Sequence, residues 1–212
     1  MDDLRQYEEQ FRREAEALRP MGFNPYPPKE YLRIPNAKER IMAGLRYYLG
    51  DKAAWLPGYD EIAAWLSDNR GRGLLVQGTP GLGKTLICQN ILPMIIHQHT
   101  RIIPASCTAY EMNKGIDALL QAHCIIVDDI GVESADTKTY GNQRYPFCEL
   151  VDAVERYNKL LIVTTNLCTT HVTDPATGVT VPSIEDRYGE RTLDRLRATT
   201  SVVRLQGKSL RR

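Results

Sequence analysis

"LLVQGTPGLGKTLICQN", residues 74–90, begins as a short apolar strand, breaks into glycines and ends as a helix that opens on a lysine and a threonine. The spacing is G-x-x-x-x-G-K-[ST], with Gly78, Gly83, Lys84 and Thr85 in the four fixed places. Gly78, Gly81 and Gly83 let the backbone turn successive N–H groups inward around phosphate oxygens. A helix starting near Gly83 adds unpaired amides and the positive end of its dipole. In such a loop the lysine, here Lys84, reaches the β- and γ-phosphates, and the hydroxyl of Thr85 sits on Mg²⁺. The whole run Gly78, Thr79, Pro80, Gly81, Leu82, Gly83, Lys84 and Thr85 is therefore the expected nucleotide phosphate cradle.

Outward from the loop, strand and helix alternate. Strands are expected at 73–77, about 101–107, 124–128, 160–165 and 201–205, and helices at 83–98, 111–122, about 145–158 and 183–197. Pro93 should kink the first of these helices or end it early. Short, continuously apolar strands separated by helices describe an α/β fold with a parallel sheet covered on both faces. Ligands of such sheets gather at the carboxyl ends of the strands.

Upstream, residues 2–19 read as a helix with Leu4, Tyr7, Phe11, Ala15 and Leu18 on one stripe. That stripe packs on the chain's own core or docks another protein, and the pattern alone leaves both open. Five prolines between residues 20 and 36 suggest an extended linker. Two further helices are expected at about 36–49 and 59–67. The organisation this gives is an extension over 1–58 and a nucleotide-binding core over 59–212.

The 212 residues suffice for one full α/β core and an extension. A net charge of +1 gives no global electrostatic footprint for nucleic acid. Cys88, Cys107, Cys124, Cys148 and Cys168 include no C-x-x-C pair and read as reduced residues of a cytoplasmic protein. The start MDDLRQYEEQ is charged, and no apolar run approaches the length of a membrane span. His97, His99 and His123 lack metal-ligand spacing.

"HCIIVDDIG", residues 123–131, places Asp128 and Asp129 at the carboxyl end of an apolar strand. The first acid suits Mg²⁺, which takes hard oxygen ligands shared with Thr85 and phosphate. The second suits proton abstraction from an attacking water. "LLIVTTNLC", residues 160–168, ends a third buried strand on Thr164, Thr165 and Asn166, and Asn166 is the expected water- or phosphate-sensing residue. "EDRYGERTLDRLR", residues 185–197, carries four arginines. Arg191 and Arg195 share a helix face, and a guanidinium there could complete a phosphate site on a neighbouring subunit. Lys114, Lys138 and Arg144 are candidate basic residues near the sheet, but isolated charges of this kind are usually solvated, and the pattern leaves DNA contacts unplaced.

GTPGLGKT, IIVDDIG, IVTTNL, YGERTLDRL and the final VVRLQGKSLR together resemble the AAA+ ATPases, and among them the DnaC-type helicase loaders and IstB-type transposition helpers, from about residue 59 onward. The resemblance implies a P-loop NTPase fold whose five-stranded sheet sets the Asp128 strand and the phosphate-loop strand on either side of the Asn166 strand, without a C-terminal helical lid. It implies ATP as the nucleotide, which no residue pattern reads directly, and Arg195, with Arg191 close behind, as an arginine acting across a subunit interface. It also implies self-association through ATP, a replicative ring helicase or a transposase as partner, and single-stranded DNA for a loader or duplex DNA for a transposition helper. A small-molecule kinase and a non-hydrolysing ATP-switched binding module are the rival readings.

Overall fold

The computed structural model describes residues 2–22, 29–139, 142–173, 180–207 and 209–210. In chain order the elements are α1 (Asp2–Leu18), α2 (Ala37–Leu49), α3 (Tyr59–Ser67), β1 (Gly73–Gly78), a π-helical turn (Leu86–Ile91) running into α4 (Leu92–Thr100), β2 (Ala105–Thr108) and α5 (Ala109–Leu119). There follow β3 (Cys124–Ile130), the short pair β4 (Thr137–Thr139) and β5 (Asn142–Arg144), α6 (Pro146–Tyr157) and β6 (Leu160–Thr165). A second short pair, β7 (Val172–Thr173) and β8 (Thr180–Val181), leads to α7 (Ile184–Tyr188), α8 (Glu190–Thr199) and β9 (Thr200–Leu205).

The five long strands form one parallel sheet in the order β2-β3-β6-β1-β9. The strand bearing Asp128 and the phosphate-loop strand therefore flank the strand that ends at Asn166, as expected. This is the α/β P-loop NTPase fold. Alternation of side chains along each strand splits the core in two. Leu74, Val76, Ile126 and Ile162 face α2, α3 and α4, while Leu75, Ile125, Val127, Leu161 and Val163 face α5, α6 and α8.

Several boundaries differ from expectation for identifiable reasons. β2 starts at Ala105, not 101, because Pro104 has no N–H to give a ladder. The helix after the loop is wound as a π turn over Leu86–Ile91, with the Leu92 N–H bonded to Ile87 O, and this widened turn delivers Pro93 into the first turn of α4. The helix expected at 183–197 is two, broken at Gly189, whose φ of 84° and ψ of 156° are not helical. Capping boxes start α5 (Thr108 with Glu111) and α7 (Ser183 with Asp186).

Of the expected linker, residues 23–28 lie outside the described residues. The part from Leu32 to Ile34 runs along α3: Ile34 N–H donates to Leu66 O at 3.2 Å, Leu32 N–H to Asn69 Oδ1 at 2.9 Å, and Leu32 and Ile34 are buried. Ala37, Ile41 and Leu45 of α2 join the same apolar cluster as Leu74 and Val76 of β1. Packing is thus continuous across residue 58.

Candidate functional site

The loop between β1 and the π turn needs its glycines in the left-handed region, with φ of 88° at Gly81 and 77° at Gly83. A Cβ on Gly83 would also lie 2.5 Å from the hydroxyl oxygen of Tyr59. That hydroxyl donates to Leu82 O at 2.9 Å and so ties the loop to α3. Burial pushes the Tyr59 pKa up to about 12. The Lys84 ammonium is buried and donates to Gly78 O (2.7 Å), Thr79 O (3.1 Å) and Asn166 Oδ1 (2.8 Å). The ammonium thus sits beside the glycine loop at a cavity that a polyphosphate could enter.

The two acids of β3 reach the same place because the strand is irregular there. Val127 pairs with Val163 but Ile130 pairs with Thr165, so β3 carries one extra residue, and Asp129 takes a φ of 59°. In a regular strand, neighbours 128 and 129 would point to opposite faces; with the bulge, Asp128 meets Thr85 while Asp129 lines the cavity. Asp128 Oδ2 accepts from Thr85 Oγ1 at 2.9 Å and Oδ1 from Thr164 Oγ1 at 2.6 Å. The Asp129 N–H donates to the Thr164 hydroxyl at 2.8 Å, and Asp129 Oδ1 accepts from Asn166 Nδ2 at 2.8 Å. A lysine can only donate and a carboxylate only accept, so its two neighbours fix the Asn166 amide orientation. Lys84, Asn166 and Asp129 form one chain of hydrogen bonds, and Thr85, Asp128 and Thr164 another. Thr164 was visible in sequence only as part of a polar strand end; its place between the two acids is a tertiary fact.

The cavity beside these residues has a volume of about 640 Å³. Pro80, Gly81, Gly83, Lys84, Thr85, Asp129 and Asn166 line its polar end. Leu45 and Leu49 of α2, Lys52, Tyr59 and Leu210 line the rest, and the Leu210 N–H donates to Gly81 O at 2.8 Å. Leu210 falls in the final VVRLQGKSLR run, whereas no motif marked Leu45, Leu49 or Lys52. The Thr85 hydroxyl, which lines the cavity, and the buried Asp128 carboxylate 2.9 Å from it make an oxygen donor set that fits Mg²⁺. The glycine loop and the Lys84 ammonium fit a nucleotide triphosphate.

The arginines stand elsewhere. Arg195 is held within its own chain, in close ion pairing with Asp152 and with Nε 2.9 Å from Glu155 Oε2, both on α6. Arg191 is exposed one turn earlier on α8, and neither arginine is among the described residues that line the cavity. Arg144, one of the isolated basic residues near the sheet, is clamped by Asp117 at 2.9 Å and by Glu149. Lys114 extends its ammonium over the ring of exposed Tyr110, 4.2 Å from the centroid, and Tyr110 is a surface aromatic that sequence reading passed over. The side chain of Lys138 lies outside the described residues. Among those described, no group of His, Cys, Asp and Glu is arranged to hold a metal by itself, and no helix is long and apolar enough to cross a membrane. All five cysteines are free; burial pushes the Cys107 pKa up to about 11, and Cys88 and Cys124 are buried in the core.

No family model matches this chain, and no curated protein does. Solved structures with a similar course of the chain include DnaI (18% identity, TM-score 0.47, 66% of this chain and 73% of that one) and the DnaC helicase loader (15%, 0.47, 85% and 94%). AMPPCP-bound DnaA from Aquifex aeolicus is a third (12%, 0.45, 66% and 42%). The fold assignment rests on the strand order and the phosphate loop themselves.

Proposed function

We propose that this chain is a Mg²⁺-dependent ATPase that assembles through its nucleotide site and acts in loading a ring helicase onto single-stranded DNA. One observation carries the ATPase reading: two hydrogen-bonded chains, Lys84–Asn166–Asp129 and Thr85–Asp128–Thr164, converge on one cavity at the carboxyl ends of β1, β3 and β6. Bound Mg²⁺ would neutralise charge on the phosphates, with Thr85 and Asp128 as its protein ligands. Lys84 binds the β- and γ-phosphates. Asp129 accepts the proton of the attacking water, while Asn166, holding both Lys84 and Asp129, orients that water against the γ-phosphate. Leu45, Leu49 and Leu210 receive the base. Arg195, or Arg191 beside it, serves a neighbouring subunit's site, and for Arg195 this requires release from Asp152 and Glu155.

The loader reading is supported by the resemblance carried by TTNL and YGERTLDRL. Exposed Tyr110 under Lys114 supports single-stranded DNA as a ligand, since a ring that stacks bases beside a cation binds without sequence preference. In this reading the ATPase unit begins near residue 29 and α1 is the extension that meets the helicase.

Phosphate release with and without single-stranded DNA tests the enzyme. Lys84→Ala should abolish nucleotide-dependent activity, and Asp129→Asn should bind ATP while hydrolysis falls by ~10²- to 10⁴-fold. Tight ATP binding without any phosphate release from the wild-type chain would mark an ATP-switched module. Capture from its native cell with ATP present, recovering a transposase and no ring helicase, would replace the loader reading with the transposition one. Mixing Arg195→Ala with Asp129→Asn should restore hydrolysis at interfaces that join an intact pocket to an intact arginine; no recovery at any concentration would confine Arg195 to its bridge with α6.

A further inference from the structure

Glu133 lies in the loop after β3 and is only 4% exposed, a carboxylate sealed inside the protein yet outside the nucleotide cavity. Its Oε2 accepts the Gly131 N–H at 2.7 Å, and its Oε1 accepts the hydroxyl of Tyr188 in a short contact. Tyr188 is also buried, with its ring centroid 4.6 Å from that of Phe147 on α6. Burial and the neighbouring carboxylate both push its phenol pKa up. Removing a carboxylate from water is costly unless charge-assisted hydrogen bonds hold it, and an apolar residue at this position would pack more cheaply.

What the pair joins gives it meaning. Gly131 is two residues beyond Asp129, has a φ of 103°, and is pressed so closely on Leu167 that a Cβ would lie 2.5 Å from Leu167 Cδ1. Leu167 follows Asn166, and its carbonyl accepts from Gln77 Nε2 at 2.9 Å. The Asp129 loop is therefore pinned between β6 and Glu133. On the other side, Tyr188 ends α7 and is followed by Gly189, the non-helical joint into α8 with Arg191 and Arg195.

We propose that Glu133 and Tyr188 are positioning residues whose hydrogen bond couples the Gly131–Glu133 loop, which directly follows the bulged end of β3 with Asp129, to the α7–α8 joint, so that seating α8 against a neighbouring subunit sets the orientation of Asp129. The inference rests on the ATPase reading above. It assigns a use to two buried ionisable groups that the chemistry itself does not touch.

The test measures ATP turnover, ATP binding and thermal unfolding on the full chain for Tyr188→Phe, Glu133→Ala and Glu133→Gln. The first removes one hydroxyl, and the second removes the acceptor. Glutamine keeps an oxygen for Gly131 and offers an amide N–H to the phenol oxygen. Tyr188→Phe and Glu133→Ala should lower kcat of the folded protein roughly tenfold, within the ~10²-fold that misplacing a reacting group can cost, while KM for ATP moves little; each strips a partner from a buried hydrogen bond and lowers the melting temperature, so rates are read where every variant is folded. Glu133→Gln should recover most of the rate, and the Tyr188→Phe/Glu133→Ala double variant should lose less than the product of the two single losses. Wild-type kcat in both single variants would overturn the coupling, as would a loss of rate matched by a loss of folded protein. A wild-type chain that binds ATP without hydrolysing it would sink the ATPase reading first, and the coupling with it.

Discussion

Helices α1 and α2 both precede the phosphate loop and both carry an apolar stripe, yet they meet opposite fates. Ile41 and Leu45 of α2 are fully buried against the sheet, and Leu45 and Leu49 go on to line the cavity beside the glycine loop. Leu4, Tyr7 and Phe11 of α1 remain 66%, 59% and 79% exposed. The difference is not in periodicity. α2 is brought to the core by the extended Leu32–Ile34 segment, whose backbone bonds to Leu66 and Asn69 fix where the next helix must lie. An amphipathic stripe shows that a face calls for cover; only neighbouring backbone decides what covers it.

The largest expected contrast is in stability. Ile41→Ala should cost about 2–5 kcal/mol in denaturant unfolding, the range for emptying a packed aliphatic site. A change no larger than a surface substitution would mean that α2 is not part of the core. Next comes nucleotide affinity. Leu49→Ser should weaken ATP binding by roughly tenfold, about 1.4 kcal/mol, and leave tripolyphosphate binding unaltered, because the change touches the base end of the cavity. Equal losses for both ligands would place Leu49 outside base recognition.

A smaller effect belongs to α1. Phe11→Ser should shift folding stability by no more than about 0.5 kcal/mol and spare ATP affinity, while reducing capture of the proposed ring helicase. Marked destabilisation would show that α1 packs on its own core and would erase the contrast with α2. The smallest effect is one of pH, at Tyr59 between α2 and the loop. Its folded pKa is raised from 10.0 to about 12, so its contribution is complete below pH 10 and is lost as pH rises through about 12. Tyr59→Phe should flatten the decline of the unfolding midpoint over that window, and an unchanged decline would assign it to other groups.

Much of the site was legible because phosphate chemistry leaves local marks. Gly78 to Thr85 is contiguous, and the two acids and Asn166 each follow an apolar strand. Parallel α/β topology brings such strand ends to one edge. What the pattern could not show was how adjacent residues share one site. The bulge at Asp128–Asp129, the place of Thr164 between them, and the pairing of Arg195 with α6 all depend on contacts far apart in the chain.

The sequence by itself pointed to the class of ligand and determined the layering of the sheet. A glycine loop between strand and helix has few other physical uses, and uninterrupted apolar strands must be covered on both faces. Tertiary structure alone decided which residues wall the base end of the cavity, which helix joins the core, and which charges are already engaged. Leu210 lies far along the chain from Leu45 and Leu49, and Glu133 and Tyr188 are 55 residues apart. No local spacing encodes such meetings, because they arise only when the sheet has fixed the relative positions of the elements that carry them.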